Sequence, residues 1–501
     1  MDKIRVLQLG AEDWNKVYTV PNHVELINVP VFHQPPKETF DIVFLDRQPL
    51  EEEYEVLHKE TKAHTLFLTE NAVMNQQLQY LYDCKCGKKM NRGQVQEFLL
   101  KEARFYFSKP YGEKYSLNNL CVAENFHGEI TWNGNREMVL RGSFGKQMKQ
   151  AAYWKNNIPL FRNQVIDLWL EYQKDPGVRI ELQLVQFASG SLSTVINRWH
   201  FDETQLENVV QIEGNKGDGP IFASICASGE GQLRIIALHD RYSRGKHGYF
   251  LPGGIRMVSS QREELFAYFD PGDRKPPLNV YFSGYKTREG FEGYYMMKNM
   301  GCPFLLIAET RLEGGCFYMG SEEYEAMYAQ VIRKYMEELG FTGDQVILFG
   351  LSMGTTGAAY YSCNIHPHAV MLGKPLMNLG DIAANEKLLR PGGFSTSLDV
   401  LEYLAPPEEK AKVQYLNQKF WKKFDAADWS RTKFIVSYMI EDDYDSNGYR
   451  DLLDHLQSEG VQVYGKGIHG RHSDNSGAIV QWLTRQFQRL LEEDFGRRDF
   501  G

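Results

Sequence analysis

A serine hydroxyl becomes a useful nucleophile when an imidazole takes its proton and a carboxylate holds that imidazole in the right tautomer. The stretch Gly350-Leu351-Ser352-Met353-Gly354 places a serine in G-x-S-x-G spacing. That spacing belongs to a sharp turn from a strand into a helix. Residues 346–349 ahead of it are an apolar run rich in strand formers. Small and helix-tolerant residues follow to Cys363, and His366-Pro367 supplies a stop. Glycines two before and two after the serine let the two backbones pass closely. The turn would present Ser352 as a catalytic nucleophile and aim the N–H of Met353 at an oxyanion. A tight strand–helix turn that binds nothing has the same pattern, so the companion groups decide.

In α/β-hydrolases the companions follow in the order serine, acid, histidine. A strand over 434–439 runs into Ile440-Glu441-Asp442-Asp443-Tyr444-Asp445. Asp442, a few places beyond the strand end, is best placed as the catalytic acid. Glu441 is the alternative acid and Asp443 a further one; a solvated acidic loop or a cation site would look alike. After a last strand over 461–464 come His469 and His472. His472 is the preferred catalytic base, because Ser473-Asp474-Asn475 follow it and cap the final helix. His455 lies within a predicted helix, and His366 and His368 close the helix after the serine; these read as structural. A second oxyanion donor is expected in the loop after an early strand. The strand over 278–283 enters Gly284-Tyr285-Lys286, which offers the amide of Tyr285 or of Lys286. Arg311 and Gly314-Gly315 follow another strand end and are placed to line the pocket.

These loops need a sheet to bring them together. The chain has 501 residues, enough for about two to four domains. The region 271–501 alternates strand and helix: strands over 278–283, 304–308, 346–349, 434–439 and 461–464, and helices over 321–339, 449–458 and 475–492. This predicts an α/β-hydrolase-like domain with a mostly parallel sheet covered on both faces. The segment 376–429 is expected to form a helical cap. Turn formers crowd Pro271-Gly272-Asp273-Arg274-Lys275-Pro276-Pro277, which marks a domain boundary. Residues 120–270 hold alternating or apolar runs, such as 179–187, 221–227 and 232–238, between Gly, Asn, Asp and Ser clusters. They predict a β-sandwich, with a hairpin turn at Ser228-Gly229-Glu230-Gly231-Gln232. Such a module can bind a polymer, and Trp132, Trp154, Trp169 and Trp199 are candidates for sugar stacking as well as for core packing. Residues 1–119 read as a small α/β unit with strands over 4–9, 24–29, 42–46 and 65–68 and a helix over 92–102. Its first turn, Leu9-Gly10-Ala11-Glu12, lacks the glycines of a dinucleotide site.

Composition excludes several classes. A net charge of −9 without a long basic run disfavours nucleic-acid binding. No apolar run approaches the roughly 18–20 residues of a membrane span. The first residues read as a folded strand and lack a signal-peptide pattern. Seven scattered cysteines point to a reducing compartment. Cys84 and Cys86 have no second pair or nearby histidine to complete a metal site.

Several longer stretches carry a resemblance. They are LQLGAEDW (7–14), PGDRKPPLNVYFSGY (271–285), EGFEGYYMM (289–297), RLEGGCFYMGSEEYE (311–325) and ILFGLSMGTTGAAYY (347–361), and the resemblance they carry covers essentially the whole length. With these the sequence resembles the second of the three Asp-type accessory Sec-system protein families of Gram-positive bacteria. The resemblance implies a component of the system that exports glycosylated serine-rich repeat adhesins. Implied partners are the first and third Asp proteins, the accessory motor ATPase and translocon, and the adhesin itself. The implied activity is carbohydrate esterase or acyltransferase chemistry, namely O-acetylation of N-acetylglucosamine on the adhesin. No bound cofactor is implied beyond an acetyl donor. The family's serine and histidine fall on Ser352 and His472, and its acid on the Glu441-Asp442 pair. The implied location is cytoplasmic, with any membrane contact made through partners. A non-catalytic scaffold or a simple carbohydrate esterase is the alternative within the same resemblance.

Overall fold

Runs that are apolar at nearly every position must be covered on both faces. Leu278–Phe282, Phe304–Glu309, Val346–Leu351 and Ala369–Gly373 are such runs, buried almost end to end. They lie at the centre of an eight-stranded sheet. Its spatial order is Ile255–Val258, Glu264–Asp270, Phe304–Glu309, Leu278–Phe282, Val346–Leu351, Ala369–Gly373, Lys433–Met439 and Gln462–Ile468. The first two strands are antiparallel to their neighbours and the other pairings are parallel. The computed structural model describes residues 3–31, 39–191, 193–384, 394–456 and 460–498.

The period-two geometry of a strand splits these side chains between two cores. Val280, Phe282, Leu348 and Val370 face the helices Glu322–Leu339 and Met353–Ile365. Tyr281, Ile347, Phe349 and Met371 face Leu483 and Phe487 of the helix Ser476–Phe495. Because the pairing is parallel, the C-terminal ends of the strands that precede Ser352, Asp442 and His472 share one edge of the sheet. The helices Leu379–Ala384, Ser397–Leu404 and Lys412–Asp425 fall within the expected cap segment. Residues 385–393 of that segment lie outside the described residues.

Sheet membership corrects two sequence expectations. Ile255–Val258 and Glu264–Asp270 belong to the C-terminal sheet, so the turn-rich stretch at 271–277 lies inside that domain. The antiparallel region opens with Gly112–Tyr115, ahead of residue 120. Turn formers mark any tight reversal, and here they join two strands of one sheet. The hairpin expected at residues 228–232 is also absent. One 24-residue strand, Gly219–Tyr242, runs through it. Gly229 and Gly231 take positive φ there, at 95° and 140°, and the register against Glu137–Trp154 shifts beside them. The glycines bend the strand as bulges do, without reversing it.

That long strand pairs with Val178–Phe187 along its first half and with Val165–Lys174 along its second. Ten antiparallel strands thereby share one hydrogen-bonding network around a core that includes Leu140, Leu168, Leu182, Ile225 and Leu233. Trp154 and Trp169 are core residues. Trp169 lies between the guanidinium groups of Arg256 and Arg262, at 4.1 and 4.0 Å. Trp132 is the exposed member of the set, and Trp199 is half-buried. The N-terminal unit is a five-stranded parallel sheet in which Ile4–Leu9 sits between Val24–Val29 and Ile42–Leu45. Among the described residues, no helix is long and apolar enough to cross a membrane.

A buried ion network joins the antiparallel region to the C-terminal sheet. Arg241 donates to both oxygens of Glu264 and, through Nε, to Glu289. His239 binds Glu289 through Nδ1, and its Nε2 lies 3.5 Å from Glu171. Glu171, His239 and Glu264 bring ligand-type atoms within 4.8 Å of one another. Both oxygens of Glu264 are already held by Arg241, and Arg256 joins them, so this is an ion network and not a cation site. Asp240, between the two, is fully buried, and among the described residues neither carboxylate oxygen has a hydrogen-bond partner. Burial pushes its pKa from 3.8 up to about 8, with Glu113 and Glu289 adding to the effect and Arg241 and His239 opposing it.

The folded state therefore holds a proton on Asp240 that the unfolded chain releases. Its contribution to stability is full below pH 3.8 and is lost as pH rises towards about 8. The urea midpoint of the wild type is expected to fall more steeply between these limits than that of Asp240→Asn. Parallel curves would contradict the assignment.

Candidate active site

The strand Val346–Leu351 ends one residue before Ser352, and the helix Met353–Ile365 begins one residue after it. Ser352 has φ 52° and ψ −123°. A non-glycine residue held in this region costs about 1–3 kcal/mol and persists where its surroundings fix it. Here the Ser352 N–H donates to the Gly373 carbonyl at 2.8 Å. The Ser352 carbonyl accepts from the Thr355 hydroxyl at 2.6 Å and from the Thr355 N–H at 2.9 Å. The turn also requires its glycines. A Cβ on Gly354 would sit 2.1 Å from the Phe282 carbonyl oxygen, and one on Gly350 2.1 Å from that of Gly354.

Ser352 Oγ lies 2.8 Å from His472 Nε2, and His472 Nδ1 lies 2.8 Å from Asp442 Oδ2. A carboxylate on Nδ1 assigns the ring proton there and leaves Nε2 to accept from the serine. Asp442 Oδ1 accepts the N–H groups of Tyr444 at 2.8 Å and Asp445 at 3.2 Å, which orients the carboxylate. Asp442 and His472 are both buried.

The neighbouring acids point elsewhere. Glu441 is turned to solvent, where it accepts from the Gly470 N–H at 2.6 Å and pairs with His469 Nδ1 at 2.9 Å. The Gly470 N–H, followed by His469, lowers its pKa. Asp443 Oδ1 accepts the His472 N–H at 3.0 Å, while Oδ2 takes Arg471. Burial raises its pKa, but the His472 N–H and Arg471 outweigh that and leave it lowered. The structure thus brings Asp442 and His472 to Ser352 and leaves Glu441 and His469 as an exposed pair. His455 stacks on Trp421 at 3.9 Å, and His368 pairs with Asp494.

The amide of Met353 is the first in its helix, where N–H groups have no intrahelical acceptor. Tyr285 and Met353 line the same cavity as Ser352. The loop fixes its other amides: Gly284 donates to Glu292 at 2.7 Å and Lys286 to the Gly314 carbonyl at 3.4 Å. Of the two donors that the sequence offered, Tyr285 is the one whose neighbours on either side are engaged. Gly314 and Gly315 pack close behind, against the Tyr285 ring and the Met353 side chain. Arg311 does not reach the cavity. It is buried against Glu309 and Glu263, with its guanidinium 3.9 Å from the centre of the Tyr324 ring. A charge next to a strand end can serve packing as readily as a pocket.

The cavity measures about 430 Å³. Phe317, Leu376, Phe394 and Tyr444 line it, and sequence reasoning did not single them out. The Phe394 ring lies 5.6 Å from that of Tyr285 and 5.7 Å from that of Phe317. Nothing in their spacing marks these side chains, because the loops that carry them meet only in the folded chain.

A serine at a strand–helix turn, with acid and histidine at the ends of later parallel strands, defines an α/β-hydrolase-like protein. The chain belongs to the family described as Asp2, accessory Sec system GspB-transporter, whose match covers residues 4–497. It is 34% identical over 508 residues to accessory Sec system protein Asp2 of Streptococcus gordonii, covering 99% of each chain. It is 43% identical over 391 residues to the Asp2 protein of Staphylococcus aureus, covering 78% of this chain and 75% of that one. A chain of the Glycosylation Associate Protein (Gap123) complex from Streptococcus agalactiae is similar throughout. It has 32% identity and a TM-score of 0.87, with 99% of this chain and 100% of that one covered.

The two acids are separable by substitution. Asp442→Asn is expected to slow fluorophosphonate labelling of Ser352 by about 10³–10⁴-fold, as loss of the correct histidine tautomer does. Glu441→Gln should label within about twofold of the wild type, since its partners lie outside the relay. The reverse ranking, read by mass spectrometry of the Ser352 peptide, would exchange their roles.

Proposed function

We propose that the chain is a serine acyltransferase of the accessory Sec export system. It would acetylate a hydroxyl of N-acetylglucosamine on a glycosylated serine-rich repeat adhesin. The observation that carries this reading is the continuous relay from Ser352 Oγ through His472 to Asp442. In the first half-reaction, His472 Nε2 takes the serine proton as Oγ bonds to the acyl carbon of the donor. The amides of Met353 and Tyr285 receive the developing oxyanion. Collapse breaks the bond to the leaving group, which takes the proton from His472. In the second, His472 removes the proton of the sugar hydroxyl as that oxygen attacks the acyl carbon, and Ser352 Oγ leaves with the proton. Asp442 holds the imidazole and stabilises its charged form throughout.

A transferase must keep water from the acyl-enzyme. Phe317, Leu376, Phe394 and Tyr444 around Ser352 support that preference over simple hydrolysis. The acetyl donor is an activated acyl compound that arrives as a substrate. Membership in the family, with the likeness to a chain of the Gap123 complex, supports a working assembly with the first and third Asp proteins. The motor ATPase, translocon and adhesin complete that setting, at the cytoplasmic face of the membrane and held there through partners.

The test is reconstitution of the three Asp proteins with glycosylated adhesin. Ser352→Ala is expected to leave the complex intact and to abolish acetyl groups on N-acetylglucosamine, read by glycan mass spectrometry. Unchanged acetylation by a folded, assembled Ser352→Ala protein would overturn the proposal and leave a scaffold role.

A further inference from the structure

Ser352, Asp442 and His472 sit on three segments that meet at Lys374. This residue directly follows the strand Ala369–Gly373 and takes φ 59°, a conformation unusual for a side chain of its size. The conformation turns a lysine inward, and Lys374 is 6% exposed. Its ammonium has three N–H donors and no acceptor capacity. All three donors find partners: the carbonyl of His472, the carbonyl of Asp474 at 2.9 Å and the hydroxyl of Ser476 at 2.8 Å. Its own N–H donates to the Ser437 carbonyl at 2.7 Å, in the strand that leads to Asp442. The preceding carbonyl, of Gly373, is the acceptor that fixes the Ser352 N–H.

We infer that Lys374 is a positioning residue for the proton relay, holding the His472 backbone so that its ring spans Ser352 and Asp442. The inference rests on the reading of these three residues as a relay. The geometry is specific to His472. Its N–H is held by Asp443 and its carbonyl by Lys374, so both backbone polar groups end on charged side chains. Those two anchors fix the His472 backbone, and from that position the ring reaches Ser352 through Nε2 and Asp442 through Nδ1. Burial lowers the pKa of Lys374, while Asp442 and Asp474 act to raise it. The same ammonium therefore lies in the field of the carboxylate that orients the ring. Arginine could not replace it without displacing the loop, because a planar fork does not match three acceptors arranged around a point charge. Lys374 touches neither substrate nor the reacting atoms, and acts only through His472.

The test uses Lys374→Met, which keeps a stem of similar length and removes the ammonium with its donors, with the shorter Lys374→Gln as a second variant. Two quantities are read at one pH in samples whose thermal melting shows a folded protein. The first is the rate of fluorophosphonate bonding to Ser352. The second is the low-field proton resonance of His472 Nδ1, identified by its loss in Asp442→Asn. Lys374→Met is expected to label about 10²-fold more slowly, the effect of misplacing a catalytic group by a fraction of its working distance. The resonance should shift or vanish while folding persists, which a purely structural role would not produce. Should Lys374→Met fail to fold, Lys374→Gln carries the same expectation. Either folded variant that labels at the wild-type rate with the resonance unmoved overturns the role of Lys374 and leaves the relay standing. Failure of the wild-type protein to label at Ser352, alone and with its Asp partners, overturns the relay and this inference together.

Discussion

Much of this molecule follows from one strained residue. Ser352 holds a positive φ at the point where a central strand becomes a buried helix. Gly354 must lie against the Phe282 carbonyl for that turn to close, and Gly350 against Gly354. Strand and helix are in turn held by the two cores on either side of the sheet. The cost of the turn is spread over packing that also stabilises the rest of the domain, and in return the hydroxyl faces outward from a fixed position. The Gly373 carbonyl secures the serine amide, which joins Ser352 to the next strand in the sheet.

Three consecutive acids illustrate how finely the loop beyond Lys433–Met439 is set. Glu441 faces solvent, Asp442 faces the imidazole of His472, and Asp443 holds the His472 backbone amide. Like charges at adjacent positions are tolerated because each has a different partner. Ion pairing at a second place, where Arg241 meets Glu264 and Glu289, ties the antiparallel region to the loop that carries Tyr285. Glu289 and Glu292 lie in the same short stretch of chain; one reaches the antiparallel region and the other secures the Gly284 amide. The antiparallel region and the loop that carries Tyr285 therefore share one continuous set of contacts.

The sequence made the geometry of the site legible where a local rule applies. G-x-S-x-G between a strand run and a helix run is such a rule, and so is an acid or histidine just past a late strand. Most of the parallel C-terminal sheet was readable because its inner strands are largely apolar and spaced by helices, but the short strand Ala369–Gly373, close behind the helix after Ser352, was not read. Boundaries were less legible. The Pro-rich turn at 271–277 looks the same whether it joins domains or strands, and only hydrogen bonding assigns Glu264–Asp270 to the C-terminal sheet. The glycines at 229 and 231 read as a hairpin, since positive φ serves a bulge and a turn equally. Lys374 was invisible for a related reason. A lysine after a strand has no local signature, and its meaning comes from carbonyls about a hundred residues further on. Arg311 shows the converse: a charge that suggests a pocket and instead packs on Tyr324.

The central claim is that Ser352 takes up an acyl group. The most direct measurement is rapid mixing of the protein with an activated acetyl ester, followed by acid quench and peptide mass spectrometry. The account predicts a burst of leaving group equal to the protein present, with acetyl on the Ser352 peptide. In His472→Ala the burst should disappear. A folded wild-type protein that shows no burst and no acetyl on Ser352, alone and with its Asp partners, would contradict the account.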